Sequence, residues 1–161
     1  MEIYTFKVAL DFDKRTYRVI EICGNQTLDT FHETIFDAFD RDEEHLYSFY
    51  LTRKPIKSIN RRHDFTEYTS SEAAEDGYAD SQMHDAYSTN IEQLNLRLKD
   101  KLYYLFDFGD SWWHEITLLS VNDLNITANK NYPKIIKKVG KSPVQYDFDE
   151  DDESEYQEDE Y

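Results

Sequence analysis

Four side chains in this sequence could bind a metal ion or move a proton. Asp107, Asp110 and His114 lie within eight residues of one another, and His45 begins a separate apolar segment. Carboxylates combined with imidazoles suit Zn or Mn better than Mg, because these metals readily accept nitrogen ligands. A metal-bound water could then attack an ester or a phosphodiester. These residues indicate a metal-dependent hydrolase or nuclease, with Asp107, Asp110 and His114 as its candidate catalytic residues.

The same residues also have a structural interpretation. Aspartate is common in tight turns, where its carboxylate accepts hydrogen bonds from turn amides, so Asp107 and Asp110 could fix a turn. His114 would then be a half-buried strand residue, or one member of a buried polar network that sets the strand register. The residue types alone leave the chemical and the structural interpretation open.

These polar residues fall within a predicted β-hairpin, with strands at 102–108 and 112–119. The stretch is rich in β-favouring residues, and Gly109 would take the positive φ that a tight turn needs. With a two-residue turn at Gly109, Asp107 and His114 are diagonal neighbours on one face of the hairpin. A three-residue loop would place them on opposite faces instead.

Familiar catalytic motifs are incomplete in the sequence. His32-Glu33 and His114-Glu115 both begin like a zincin helix, but no second histidine follows at the required spacing. The four glycines are too scattered to form a phosphate-binding loop or a dinucleotide fingerprint. A serine recombinase needs a nucleophilic serine among several arginines, and no such cluster is present.

The charge is strongly acidic and unevenly distributed. The net charge is −16, and residues 147–161 contain ten acidic side chains and no basic one. Such a tail has too little apolar surface to fold alone, so we predict that it is disordered. Lysines recur at 130–141, and five other basic side chains could contact phosphates or the tail: Arg53, Lys54, Lys57, Arg61 and Arg62. An acidic protein repels nucleic acid at long range, which makes nucleic-acid binding the less favoured alternative.

The cysteine content and the hydropathy predict the compartment. Cys23 is the only cysteine, so an internal disulfide is impossible. No apolar run is long enough to span a membrane, and the first residues do not resemble a signal peptide. We therefore predict a cytoplasmic protein with no membrane partner, and no cofactor other than the divalent metal considered above.

The hydrophobic pattern predicts the elements that must position these residues. Alternating apolar side chains predict strands at 3–10, 16–23, 45–51 and 132–139. Thr27 would cap a helix at about 28–40, whose apolar residues fall on one face. From about 53 to 90 the pattern fails, which indicates a long variable surface segment with a short helix near 71–76.

Together these elements predict an α+β fold within a single domain at 1–146. In this fold a mainly antiparallel sheet, with its central hairpin at about 102–119, packs against the helix at about 28–40.

Three sequence blocks and the order of the predicted elements match a known family. The blocks are Phe106-Asp-Phe-Gly-Asp-Ser-Trp112-x-His114, His45-Leu46-Tyr47-x-Phe49 and Tyr132-Pro133. In them the chain resembles the plasmid pRiA4b ORF-3-like family over about residues 3–140. The resemblance implies a small prokaryotic α+β protein, often encoded on plasmids or near transposable elements and sometimes labelled a resolvase-like passenger, with no established activity.

The chain departs from the family pattern after Tyr132-Pro133. Members often continue into a glycine-rich segment with a proline-proline-glutamate-aspartate-type motif and a cysteine, whereas this chain has Gly140-Lys-Ser-Pro143. A site that depends on that segment would be incomplete here.

These observations favour a non-catalytic interaction or accessory module linked to plasmids or mobile elements, with another protein as its partner. One alternative is the metal-dependent hydrolase or nuclease centred on Asp107, Asp110 and His114. The other is a nucleic-acid-associated protein, or one that mimics DNA through its acidic tail.

Overall fold

The first two strands form an antiparallel hairpin. In the computed structural model, which describes residues 1–70, 83–124 and 131–145, β1 spans Glu2–Leu10 and β2 spans Asp13–Cys23. The two strands pair along nearly their whole length. Alternate side chains of β1 enter the main core, as a period of two requires. The predicted strand pair is confirmed.

The helix α1, at Leu28–Ala38, packs on one face of the sheet. The Thr27 hydroxyl accepts a hydrogen bond from the Thr30 amide at 3.1 Å, which satisfies one of the amides left unpaired at a helix start. Phe31 and Ile35 on the apolar face are completely buried. Both the predicted cap and the predicted buried face are confirmed.

Within the described ranges, eight strands form one mixed sheet. Besides β1 and β2 it contains β3 (Tyr47–Leu51), β4 (Thr66–Thr69), β5 (Met83–Asp85), β6 (Lys101–Phe106), β7 (Trp112–Asp123) and β8 (Lys134–Val139). Their order across the sheet is β5-β4-β3-β6-β7-β1-β2-β8. Neighbouring strands are antiparallel except β4 and β5, which are parallel.

The prediction of an α+β fold was wrong, because the sheet dominates the architecture. Within the described ranges α1 is the only α-helix longer than four residues, and α2 (Ile59–Arg62) is a single turn. The segment at 53–90 contributes β4 and β5 at one edge of the sheet. The predicted helix near 71–76 and the acidic tail at 147–161 lie outside the described residues. The domain limits at 1–146 stay a prediction.

The sheet buries side chains on both faces, which explains why it dominates. On the inner face, α1 covers a large cluster to which the strands contribute several aromatic rings, among them Phe6, Phe49 and Tyr104. The outer face carries a smaller cluster, which we call the outer cluster: Tyr50, Ile56, Tyr103, Leu105 and Trp113, with Phe65 and Phe108 packed against it. A strand buried on both faces has a continuous apolar sequence, as β6 does.

The β6–β7 hairpin has a register one residue away from the predicted one. Phe106 pairs with Trp112, and Tyr104 pairs with His114. A one-residue slip exchanges the faces of a strand, so His114 lies on the inner face together with Tyr104. Asp107 lies in the loop rather than in β6. The prediction that Asp107 and His114 are diagonal neighbours on one face was therefore wrong. The observed pairing has the parity of the alternative register, in which the two residues do not share a face.

The hairpin loop has five residues, 107–111, and its left-handed positions are not at glycine. Asp107 has φ of 67° and Ser111 has φ of 58°, whereas Gly109 lies outside the left-handed region. The Ser111 amide donates to the Asp107 carbonyl at 2.7 Å and closes the loop. The prediction of a two-residue turn with positive φ at Gly109 was wrong.

Candidate functional site

His114 is completely buried, and both of its ring nitrogens are hydrogen-bonded. Nε2 lies 2.7 Å from Arg41 Nη2, and Nδ1 lies 3.2 Å from the Tyr104 carbonyl oxygen. A guanidinium has only donors, so Nε2 must accept and Nδ1 must carry the proton that goes to the carbonyl. Burial, reinforced by the charge of Arg41, lowers the pKa of His114 well below its usual value. The ring is therefore neutral and held in one tautomer.

Arg41, the partner of His114, is enclosed by aromatic rings. Its guanidinium carbon lies 5.0 Å from the ring centroids of Phe39 and Phe106, and 5.3 Å from that of Trp112. Cation–π contacts of this kind offset part of the cost of removing the charge from water. The sequence did not reveal Arg41, because it lies 73 residues from His114 in a stretch that resembles a polar helix stop.

Asp107 organises the hairpin loop. Its Oδ1 accepts hydrogen bonds from the Gly109 amide at 3.1 Å and from the Asp110 amide at 3.3 Å. Its Oδ2 lies 3.8 Å from Nε2 of His45. Asp107 is buried, while the Asp110 side chain is exposed. This geometry supports the turn-forming interpretation of Asp107.

The structure does not bring the four predicted metal ligands together. His45 and Asp107 are neighbours, but His114 lies in the core and Asp110 is exposed. No group of three or more His, Cys, Asp or Glu side chains in the described part of the chain has a metal-binding arrangement. A metal ion bound to His114 would also have to displace Arg41 from Nε2 or break the hydrogen bond between Nδ1 and the Tyr104 carbonyl. Metal-dependent hydrolysis stays a prediction that this geometry does not favour.

The five predicted phosphate or tail contacts divide into two groups. Arg53 donates to Asp100 at 2.9 Å and to the Leu94 carbonyl at 2.7 Å, and Arg62 is almost completely buried. The exposed members are Lys54, Lys57 and Arg61. Two of the five cations therefore have internal structural partners, which weakens the case for a phosphate-binding surface.

A second histidine, His32, belongs to a buried network that sequence reasoning missed. His32 is only 3% exposed, although it lies at the edge of the apolar face of α1. Its Nδ1 lies 2.6 Å from the Tyr104 hydroxyl, its Nε2 lies 3.1 Å from Glu44, and its ring stacks on Tyr47 at 3.8 Å. Burial raises the pKa of the Tyr104 hydroxyl, which stays protonated. Through its contacts with Tyr47 and Tyr104, His32 connects α1 to β3 and β6.

A cavity of about 340 Å³ opens on the outer face of the sheet. Its floor consists of the outer-cluster residues Tyr50, Leu105 and Trp113, all of which are buried. Its walls come from three elements that are distant in sequence: Ile59 and His63 at α2, Glu67 on β4, and Phe108 and Ser111 in the hairpin loop. Aromatic and aliphatic surface with a few polar groups is typical of a binding cavity.

Arg62 fixes the wall that α2 contributes. Nε donates to the Ile56 carbonyl at 2.8 Å, and the two Nη atoms contact both carboxylate oxygens of Asp11 at 2.9 and 3.3 Å. The guanidinium carbon lies 3.8 Å from the Tyr103 ring centroid and 5.0 Å from that of Trp113. The α2 segment is thereby attached to the β1–β2 turn and to the outer face.

Glu67 supplies the carboxylate of the cavity. Its Oε2 accepts hydrogen bonds from the Ser48 hydroxyl at 2.6 Å and the Tyr50 hydroxyl at 3.2 Å. These two donors hold the carboxylate in place. Among the described residues, no hydrogen bond to Oε1 is formed. The negative charge therefore has a fixed position beside the aromatic floor.

Serine, histidine and glutamate all line the cavity, but they are not arranged for nucleophilic catalysis. Such catalysis needs the serine within hydrogen-bond reach of the histidine, and the histidine oriented by an acid. Glu67 instead bonds Ser48 and Tyr50, and the Ser111 hydroxyl lies 3.5 Å from the Phe108 carbonyl oxygen. His63 packs edge-on against Tyr50 and Trp113.

The described residues thus define a sheet-dominated protein with an aromatic cavity on one face of its sheet. The family model described as plasmid pRiA4b ORF-3-like protein matches residues 2–156. The chain therefore belongs to the plasmid pRiA4b ORF-3-like family, and the resemblance found in its sequence blocks is confirmed.

Among solved structures, the chain is similar to a protein of unknown function from Methanosarcina mazei Go1. The two are 15% identical, the match covers 97% of this chain and 84% of that chain, and the TM-score is 0.65. At this identity the similarity establishes the fold alone. No curated protein matches the sequence.

Across the residues that the structure describes, no helix has the length and apolar character needed to cross a membrane.

Proposed function

We propose that this protein is a non-catalytic interaction module that binds a partner protein at the outer-face cavity. The observation that carries the proposal is the cavity of about 340 Å³, with its aromatic floor and its exposed apolar rim residue Ile59, which is 45% exposed. Cavities that combine aromatic surface with a few fixed polar groups are the usual anchors of recognition sites.

A further apolar side chain supports binding at this end of the sheet. Phe12, in the β1–β2 turn, is 66% exposed and packs edge-on against Trp112 at 6.1 Å. The Asp11 amide bonds the Trp113 carbonyl at 2.9 Å, so this turn lies next to the start of β7. Exposed aromatic residues are typical of protein contact surfaces, although Trp112 packs against the large cluster on the inner face and does not line the cavity.

The biological setting that we propose is an accessory role for plasmids or mobile elements, in the cytoplasm. The family name refers to a plasmid reading frame, which supports the first part. The lone, buried Cys23 is compatible with a reducing compartment, which supports the second.

A matched pair of charge insertions tests the binding site. Ile59 in the cavity rim is 45% exposed, and Ile136 on β8 is 49% exposed, so Ile59→Lys and Ile136→Lys introduce the same change at similar exposure. Tagged full-length chains would be expressed in the native host, and co-purified proteins would be quantified by mass spectrometry. We expect at least one protein to be lost with Ile59→Lys and retained with Ile136→Lys. Identical sets of co-purified proteins in both variants would contradict the proposal.

A further inference from the structure

The outer-face cavity combines two groups that together recognise a basic side chain. Tyr50 and Trp113 present aromatic rings at its floor, 5.7 Å apart and tilted by 37°. The Glu67 carboxylate stands in its wall, held by Ser48 and Tyr50. Aromatic faces attract cations through the ring quadrupole, and a fixed carboxylate adds a charge-assisted hydrogen bond.

The aromatic floor already binds a cation within the chain. The Arg62 guanidinium lies over the rings of Tyr103 and Trp113, at 3.8 and 5.0 Å from their centroids. Its charge is paired with Asp11. The Trp113 indole that lines the cavity thus contacts an arginine that is paired with a carboxylate. The cavity also combines aromatic rings with a carboxylate, and no arginine is among the described residues that line it.

We infer that the cavity receives a lysine or arginine side chain of the partner protein, an inference that rests on the proposed binding function. The methylene groups of such a side chain would cover Leu105 and Phe108, while its cationic end would reach Glu67. The net charge of −16 favours the approach of a basic partner at long range. Charge complementarity therefore selects a basic segment over an apolar or an acidic one.

The test uses the full-length protein and four defined probes: the N-acetyl methylamides of lysine, arginine, norleucine and glutamate. Norleucine has the lysine stem without the ammonium group, so it separates charge from apolar contact. The chain has two tryptophans, hence two indole N–H signals in a nitrogen-15 NMR spectrum, and Trp112→Phe identifies the signal of Trp113. We expect the lysine and arginine probes to move the Trp113 signal saturably, and the norleucine and glutamate probes to leave it in place.

A matched pair of charge removals completes the experiment. Glu67→Gln keeps an acceptor for Ser48 and Tyr50 but removes the charge, and Glu92→Gln removes one charge at a separate site. We expect Glu67→Gln to weaken binding of the lysine probe about tenfold, as loss of one charge-assisted contact would, while Glu92→Gln leaves it unchanged. The melting temperature of each variant shows that the fold is intact.

The outcomes separate this inference from the proposed function. Equal binding of norleucine and lysine, unchanged binding in Glu67→Gln, or no saturable shift with either basic probe would overturn the basic side chain as the ligand. The proposed function would still stand if Ile59→Lys, but not Ile136→Lys, loses a partner. Identical sets of co-purified proteins in those two variants would overturn the function itself.

Discussion

The Arg41 guanidinium donates to Nε2 of His114 across 2.7 Å in the interior of the protein. This bond joins the segment after α1 to the middle of the sheet, and it takes the ring nitrogen that catalysis or metal binding would use. A buried charge is tolerated only when it is paired or hydrogen-bonded, and here aromatic rings complete the enclosure. In the described geometry His114 is thus a buried, hydrogen-bonded residue of the core, and its catalytic role stays a prediction.

The free energy of unfolding should depend on pH because His114 is neutral in the folded protein. Its pKa is lowered by burial and by Arg41, whereas in the unfolded chain it returns to about 6.5. Below about pH 6.5 the unfolded chain binds a proton that the folded chain does not, so the free energy of unfolding falls as the pH falls. Above that pH both states are neutral, and the contribution is constant. Urea unfolding between pH 4.5 and 7.5, chosen to span about two units below the unfolded pKa, measures this slope.

His114→Gln isolates that contribution, because glutamine can accept from Arg41 but does not titrate. Below pH 6.5, we expect the slope of the unfolding free energy against pH to be smaller in the variant than in the parent chain, by up to about 1.4 kcal/mol per pH unit. The exposed His84→Gln variant is the control and should keep the slope of the parent chain. Equal slopes in the parent chain and in His114→Gln would show that His114 titrates normally in the folded protein.

Asp107 should be required for the hairpin loop rather than for chemistry. Alanine at this position must adopt φ of 67° and cannot accept hydrogen bonds from the two loop amides. We expect Asp107→Ala to lower the free energy of unfolding by about 2 kcal/mol, and Asp107→Asn by less than about 1 kcal/mol, because asparagine tolerates the left-handed region and keeps an acceptor. Denaturant unfolding distinguishes them. If asparagine costs as much as alanine, the carboxylate charge matters more than the turn.

Gly109 should tolerate a side chain, although it is the glycine in the most distinctive sequence block. Its φ is not left-handed, and an added Cβ would lie 3.5 Å from Oδ1 of Asp107, an ordinary contact. Gly109→Ala should change the free energy of unfolding by less than about 0.5 kcal/mol. Gly140 is the matched control: its φ is 86° and an added Cβ would lie 2.6 Å from the Thr16 hydroxyl, so Gly140→Ala should cost more than about 1 kcal/mol. The reverse ranking would refute this description of the loop.

Arg62 should stabilise the cavity wall, whereas its neighbour Arg61 should not. Arg62→Met removes the bonds to Asp11 and to the Ile56 carbonyl, and we expect a loss of about 2 kcal/mol of unfolding free energy. Arg61 is exposed, so Arg61→Met should change stability by less than about 0.5 kcal/mol. Chemical denaturation of both variants provides the comparison. If the Arg62→Met and Arg61→Met variants were equally stable and lost nucleic-acid binding to the same extent, the phosphate-contact hypothesis would be favoured instead.

The local elements could be predicted from the sequence because their signals are local. The alternation in β1 and the Thr27 cap with Phe31 and Ile35 behind it depend only on residues close in sequence. The family could be recognised for the same reason, since its most specific block is contiguous.

The register and the cavity could not be predicted, because they depend on distant or hidden features. Positive φ at Asp107 and Ser111 lengthens the loop and exchanges the faces of β7, and the residue types at those positions left both registers open. Ile59 and Glu67 come from a segment that lacks a periodic pattern, and only the sheet places them beside Trp113. One usable signal was overlooked: the continuous apolar run of β6 indicates a strand covered on both faces.

The most direct test of the central claim is site-specific photocross-linking in the native host. Phe108 in the cavity wall and Leu119 on β7, which is 46% exposed, would each be replaced by the photoreactive residue p-benzoylphenylalanine in full-length chains. We predict a discrete cross-linked adduct with a second protein at position 108 and none at position 119. The absence of an adduct at position 108, or the same adducts at both positions, would contradict the claim that the outer-face cavity is the binding site.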